Sequence, residues 1–139
     1  MKPAEGMRDA CVLDASAVLA LLQAEPGADA VLSRIEHGVC CISAVNVTEV
    51  LKRLIDRGMS GHDAEAAFDA LELTVSAFDD AAARACAALR PASRAFGLSI
   101  GDRACLALAQ LQKLPALTAD RAWAQLDCGV VIEQFRPGA

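Results

Sequence analysis

CVLDASAVLALLQAEPG, residues 11–27, carries an apolar tripeptide through one aspartate into a helical pattern that stops at Pro26 and Gly27. Cys11 to Leu13 show no polar face, as expected of a strand covered on both sides rather than one with a solvated face. Asp14 therefore reads as the turn between a buried strand and a helix. The same grammar recurs downstream, with mostly apolar runs at 39–42 (VCCI), 73–78 (LTVSAF), 115–118 (PALT) and 129–135 (GVVIEQF) between Ala- and Leu-rich helical stretches. Strands alternating with helices in this way imply the α/β class, as an α/β/α sandwich around a parallel sheet.

Helix boundaries can be named. ADAVLSRIEHG closes on Gly38, read as a left-handed C′ glycine, and Ser43 caps AVNVTEVLKRLIDRG. Ser60 and Asp63 have capping-box spacing ahead of AEAAFDALEL, and Asp79 and Asp80 open AAARACAALR. Pro91 marks the first turn of a short continuation that ends at Gly97. Ser99 and Asp102 repeat the capping-box spacing in LSIGDRACLALAQLQ, residues 98–112.

The 139 residues, 55% hydrophobic and 22% charged, suit one globular domain over 1–139, with 1–9 expected as a disordered leader and 136–139 as a tail. Met7 is an alternative start. The six cysteines form no C-x-x-C pair and no zinc-like spacing with histidine, so they read as small core residues in a reducing cytosol. No stretch approaches about 18 uncharged apolar residues, and no signal-type apolar segment opens the chain, so the expected location is cytoplasmic, without membrane contact. A net charge of −5 counts against non-specific nucleic-acid binding, and 4% aromatic content without tyrosine counts against base-stacking platforms. Any nucleic-acid chemistry would have to act on the backbone.

Four acids fall where they can converge. Asp14 and Asp120 follow expected strands, Asp102 opens a helix, and Glu49 shares a helix face with Asn46 and Arg53, apart from the apolar stripe Val47, Val50, Leu51 and Leu54. Ligands in open parallel sheets collect beyond the carboxyl ends of the strands. Each acid also has a plain structural reading: Asp14, Asp102 and Asp120 as helix caps, and Glu49 as a solvated partner of Arg53. Capping says nothing of convergence. Two carboxylates at ~4 Å repel by roughly 4 kcal/mol at an effective dielectric near 20, so a cluster must take up protons or bind a cation. Oxygen-only donors favour a hard ion, Mg²⁺ or Mn²⁺. Neither His37 nor His62 adjoins a nucleophile, and no phosphate-binding glycine motif occurs, which leaves metal-activated water as the economical chemistry.

Taken together, VLDASAVLALL, the N-x-T-E of Asn46 to Glu49, LSIGDRACLALA and LTADRAW resemble the PIN-domain ribonucleases, in particular the VapC-type toxins of bacterial toxin–antitoxin pairs. The order and spacing hold from about Cys11 to Phe135. The resemblance implies a Rossmann-like three-layer fold and an acidic pocket of Asp14, Glu49, Asp102 and Asp120 that binds Mg²⁺ or Mn²⁺ for endonucleolytic RNA cleavage. It implies a polar second rank of Ser16, Asn46 and Thr118, a small antitoxin that occludes the pocket, and a homodimer or toxin–antitoxin hetero-oligomer built through helices. Arg90, Arg94, Arg103 and Arg121 adjoin the acids in sequence and are candidates to meet RNA phosphates. The apolar positions of Val47 to Leu54 and of AAFDALEL suit either a partner or the core. A rival expectation is a catalytically silent PIN-like module that binds RNA or protein. An aspartyl-nucleophile phosphohydrolase fits less well, because Ser16 stands where D-x-D requires a second aspartate.

Overall fold

Within the strands, successive residues point to opposite sides of the sheet. Cys11 and Leu13 pack into one hydrophobic layer and Val12 into the other; Cys40 and Ile42 are likewise divided from Cys41, and Leu117 from Ala116. The runs are apolar without alternation because both faces are buried. The computed structural model describes residues 10–136, so the expected leader at 1–9, the alternative start at Met7 and residues 137–139 of the expected tail lie outside the described residues.

Five parallel strands, β1 (Cys11–Leu13), β2 (Cys40–Ser43), β3 (Thr74–Ser76), β4 (Ala116–Thr118) and β5 (Ile132–Gln134), lie in the order β3-β2-β1-β4-β5. Helices α1 (Ala15–Leu22), α2 (Ala28–His37), α3 (Ala44–Asp56) and α4 (Gly61–Asp69) contribute to the first layer. The second is built by α5 (Asp80–Ala88) and α7 (Ile100–Gln112), with α6 (Arg90–Ser93) and a 3₁₀ turn at Arg94–Phe96 between them. Trp123, on a 3₁₀ turn at Arg121–Gln125, is fully buried in that second layer. The expected Rossmann-like three-layer α/β/α sandwich is thus the observed one. Among the described residues no helix is long and apolar enough to cross a membrane.

Several boundaries differ from expectation. The run 73–78 forms a strand only at Thr74–Ser76, at the sheet edge; Leu73 and Phe78 instead pack into the two opposite layers. The run 129–135 pairs only at Ile132–Gln134, and Phe135 leaves the strand to pack into the first layer. Gly38 is extended, not left-handed, because the chain passes directly into β2. Helix α1 stops at Leu22, short of Pro26: Ala24 turns left-handed at φ 52° and the Glu25 N–H bonds back to the Ala20 carbonyl at 2.8 Å. Gly27 follows at φ 92°, where Phe135 packs so closely that a Cβ would lie 2.6 Å from its ring. Arg136 is no loose tail, since its Nε donates to the Pro26 carbonyl at 3.1 Å.

The helix faces considered for partner binding are largely spent on the core. Val50, Leu54, Ala64 and Phe68 are buried in the first layer, with Val47 and Leu51 packed against it. Five of the six cysteines are buried, and all six are free thiols. Burial pushes the thiols of Cys41, Cys86 and Cys105 up, while Cys11 is raised chiefly by its hydrogen bond with Cys40. Such thiols are poor ligands and nucleophiles.

Candidate functional site

The strand order reverses between β1 and β4, which places the ends of these two central strands at the crevice where an open α/β sheet collects ligands. Asp14 stands there. Its backbone N–H continues the ladder to the Leu117 carbonyl at 3.0 Å, and its own carbonyl starts α1, yet its side chain makes no capping bond. Both hydroxyl partners converge on one carboxylate oxygen: Ser16 Oγ donates to Asp14 Oδ2 at 2.8 Å and Thr118 Oγ1 at 2.9 Å. The hydroxyls are themselves fixed from behind, because Ser16 Oγ accepts the Ala119 N–H at 3.1 Å and Thr118 Oγ1 accepts the Asp120 N–H at 3.0 Å. This network stitches the β1 and β4 turns together and leaves Oδ1 of Asp14 for the cavity. Capping is therefore the wrong reading of the Asp14 side chain.

Asp102 does both things its position allows. Ser99 Oγ accepts the Asp102 N–H at 3.1 Å, and Asp102 Oδ2 accepts the Ser99 N–H at 3.0 Å, which completes a capping box at the start of α7. Its carboxylate nonetheless lines the same cavity as Asp14. Asp120 is similar: Oδ1 caps the following 3₁₀ turn through the Ala122 N–H at 3.0 Å, and the residue forms part of the cavity wall.

Glu49 comes from α3 and is half-buried. In place of an ion pair with Arg53, it accepts a hydrogen bond at 2.8 Å from Asn46 Nδ2, which also donates to the Gly101 carbonyl at 3.0 Å. Asn46 is fully buried and so ties α3 to the first turn of α7, while its own Oδ1 has no partner among the described residues. Gly101 completes the seat: a Cβ there would stand 1.8 Å from Glu49 Oε1. Sequence reasoning missed Gly101, although a glycine inside the first turn of an otherwise apolar helix signals close approach.

Asp14, Glu49, Asp102 and Asp120 thus line one cavity of about 410 Å³. Their electrostatics agree with the geometry. Burial raises the Asp14 carboxyl to about 6; the Ser16 and Thr118 hydroxyls oppose that rise, and the charges of Asp102 and Glu49 add to it. Burial also raises Glu49, opposed by the Asn46 hydrogen bond and by Arg53, and reinforced by Asp102. Among the described residues, no three Asp, Glu, His or Cys side chains are grouped tightly enough to chelate one ion directly.

The arginines are differently placed from expectation. Arg90, Arg94, Arg103 and Arg121 are absent from the cavity wall, where Arg53, Arg57 and Arg136 stand instead. Adjacency in sequence misleads on a helix, because each residue turns the side chain by about 100°; Arg103 follows Asp102 yet faces elsewhere. Arg121 Nη2 donates to the Arg136 carbonyl at 3.3 Å. The signal for two of the true wall residues was the i, i+4, i+8 series Glu49, Arg53, Arg57. Arg136 had none.

Comparison with known proteins gives a consistent result. The family model described as PIN domain matches residues 11–128. Among solved structures, the fold is similar to VapBC2 from Rickettsia felis bound to a DNA fragment from its promoter, with a TM-score of 0.71 and 14% identity, over 90% of this chain and 98% of that one. It is similar to a toxin–antitoxin complex from Klebsiella pneumoniae, with a TM-score of 0.67 and 22% identity, over 87% of this chain and 95% of that one. A third similarity, to VapBC-5 from Mycobacterium tuberculosis, a member of the VapBC family of toxin–antitoxin systems, has a TM-score of 0.57 and 26% identity over 93% and 99% of the two chains. No curated protein matches.

Proposed function

This chain belongs to the PIN-domain family, and we propose that it is a metal-dependent endoribonuclease acting in the cytoplasm as the toxin of a toxin–antitoxin pair. One observation carries the catalytic part: side chains from four separate segments, Asp14, Glu49, Asp102 and Asp120, line one cavity beyond β1 and β4. The toxin role, and a small antitoxin as partner in a hetero-oligomer, are supported by the toxin–antitoxin complexes to which the fold is similar.

The donor set fits Mg²⁺ or Mn²⁺. Hard ions of this kind bind through one or two carboxylates and keep several waters, so direct chelation by three acids is not required. Asp14, raised to about 6 by burial and by two acidic neighbours, carries a repulsion that a cation would relieve. Asp14 and Asp102 would hold the ion, with Glu49 and Asp120 beside it. When bound, the ion supplies a water of lowered pKa and neutralises charge on the scissile phosphate. The protein's own part is orientation. Ser16 and Thr118 hold the Asp14 carboxylate by one oxygen, Asn46 fixes Glu49, and the α7 capping box immobilises Asp102.

The test is cleavage of total RNA by wild type beside Asp14→Ala, with Mn²⁺ and with excess EDTA, with cut ends sequenced. Cleavage is expected from wild type with metal alone. In parallel, Mn²⁺ should raise the wild-type Tm and leave that of Asp14→Ala unmoved. RNA binding without cleavage would favour a silent binding module, and full activity in EDTA would overturn the metal mechanism.

A further inference from the structure

We infer that Arg53, Arg57 and Arg136 form a phosphate-binding subsite beside the carboxylates, occupied by Glu25 until a backbone phosphodiester of single-stranded RNA replaces it. The inference rests on the ribonuclease reading above and adds to it the groups that hold the substrate.

Glu25 is the key to the geometry. One of its oxygens, Oε2, lies 3.6 Å from Arg57 Nη1, and the other, Oε1, lies 3.6 Å from Arg136 Nη2. A single anion thus bridges two guanidiniums with one oxygen for each, as the two non-bridging oxygens of a phosphodiester would. At 3.6 Å neither contact is a hydrogen bond, so the arginine donors are attracted to this position without being consumed by it. Orientation comes instead from neutral acceptors, Gln23 Oε1 for Arg57 and the Pro26 carbonyl for Arg136.

A third arginine stands on the same wall. Arg53 stands one helical turn from both Glu49 and Arg57, lines the same cavity, and its charge is felt at Glu49. Arg57 and Arg136 face Glu25, and with Arg53 they share the wall with five carboxylates in a chain whose net charge is −5, so they are a local concentration and not a general basic surface. Guanidinium forks match phosphate oxygens as they match carboxylate oxygens, so a phosphodiester can take the place of Glu25. The cavity also runs unbroken from these arginines to Asp14 and Asp102, which suits a polymer with a charged group at every link better than an acidic peptide.

The probe is a fluorescein-labelled single-stranded RNA, followed by anisotropy with Asp102→Asn protein and by cleavage kinetics with Asp102 intact. Arg57→Ala and Arg136→Ala are each expected to weaken binding about tenfold and raise KM more than they lower kcat. Each should also make the dependence of log affinity on log salt shallower by about 0.7. Arg57→Lys should restore that slope without restoring all the affinity, because it keeps the charge and loses the fork. Glu25→Gln should bind RNA more tightly. Unchanged salt slopes in both alanine variants overturn the subsite, as does weaker binding by Glu25→Gln. A loss confined to a protein partner overturns it in favour of an acidic peptide. Arginine-dependent binding without any cleavage would sink the nuclease reading and keep the subsite; cleavage with arginine-independent binding would do the reverse.

Discussion

Gly101 and Glu49 occupy complementary space: the carboxylate of Glu49 fills the volume where a Cβ on residue 101 would stand, 1.8 Å from Oε1. Gly101→Ala should therefore expel the end of a flexible side chain and leave the backbone in place. Helix propensity favours alanine by up to about 1 kcal/mol, which offsets part of the lost packing. The expected variant melts within a few degrees of wild type and has lost at least about tenfold in cleavage and in Mn²⁺ affinity. Unaltered metal affinity would show that the Glu49 position is immaterial.

Asp14 costs the metal-free fold stability. Its folded pKa, about 6, lies above the ordinary 3.8, so the folded state holds the proton more tightly than the unfolded chain does. Its contribution is fully present below 3.8 and is lost as pH rises to about 6. Asp14→Asn stays neutral throughout and should be more stable than wild type in EDTA at pH 7.5, by roughly 1–3 kcal/mol. The difference should disappear below the ordinary carboxyl range. Urea denaturation at the two pH values measures both.

Capping and ligation at Asp102 can be separated by two substitutions. Asn retains an oxygen to accept the Ser99 N–H, whereas Ala removes it. Asp102→Asn should hold stability within about 0.5 kcal/mol, and Asp102→Ala should lose about 1 kcal/mol. Both should abolish cleavage. Thermal melts paired with the RNA assay decide between them, and an active Asp102→Ala would reduce the residue to a cap.

Thr118 carries two bonds through one fully buried hydroxyl, to Asp14 Oδ2 and from the Asp120 N–H. Thr118→Val keeps the shape and strands both partners, at an expected cost of about 1–3 kcal/mol. The hydroxyl holds the Asp14 pKa down, so its loss should raise that pKa further and move the acid limb of the pH–rate profile to higher pH. A shift toward lower pH would contradict the hydrogen-bond assignment.

The acids were legible because each sits at a position with a local signature: after an apolar run for Asp14 and Asp120, in capping-box spacing for Asp102, and on the polar face of an amphipathic helix for Glu49. The wall arginines Arg53, Arg57 and Arg136 were not, since nearness in sequence to those acids points to Arg90, Arg94, Arg103 and Arg121 instead. Glu25 is hidden for a related reason: the helical spacing runs on to Pro26, but the left-handed turn at Ala24 ends the helix early and puts Glu25 on the cavity wall.

Periodicity and apolar composition were enough to specify layers and strand type, because burial on both faces removes alternation from the residues themselves. Local capping chemistry likewise marked most helix starts. Side-chain direction was another matter: that Asp14 turns to Ser16 and Thr118 rather than to the end of α1, or that Arg136 crosses to Glu25, depends on groups up to 111 residues apart in the chain. Such contacts exist only once the sheet order β3-β2-β1-β4-β5 has brought β1, β4 and the segment after β5 together. Hydrogen bonds and ion pairs act over a few ångströms of space, and no local pattern in the chain encodes that distance.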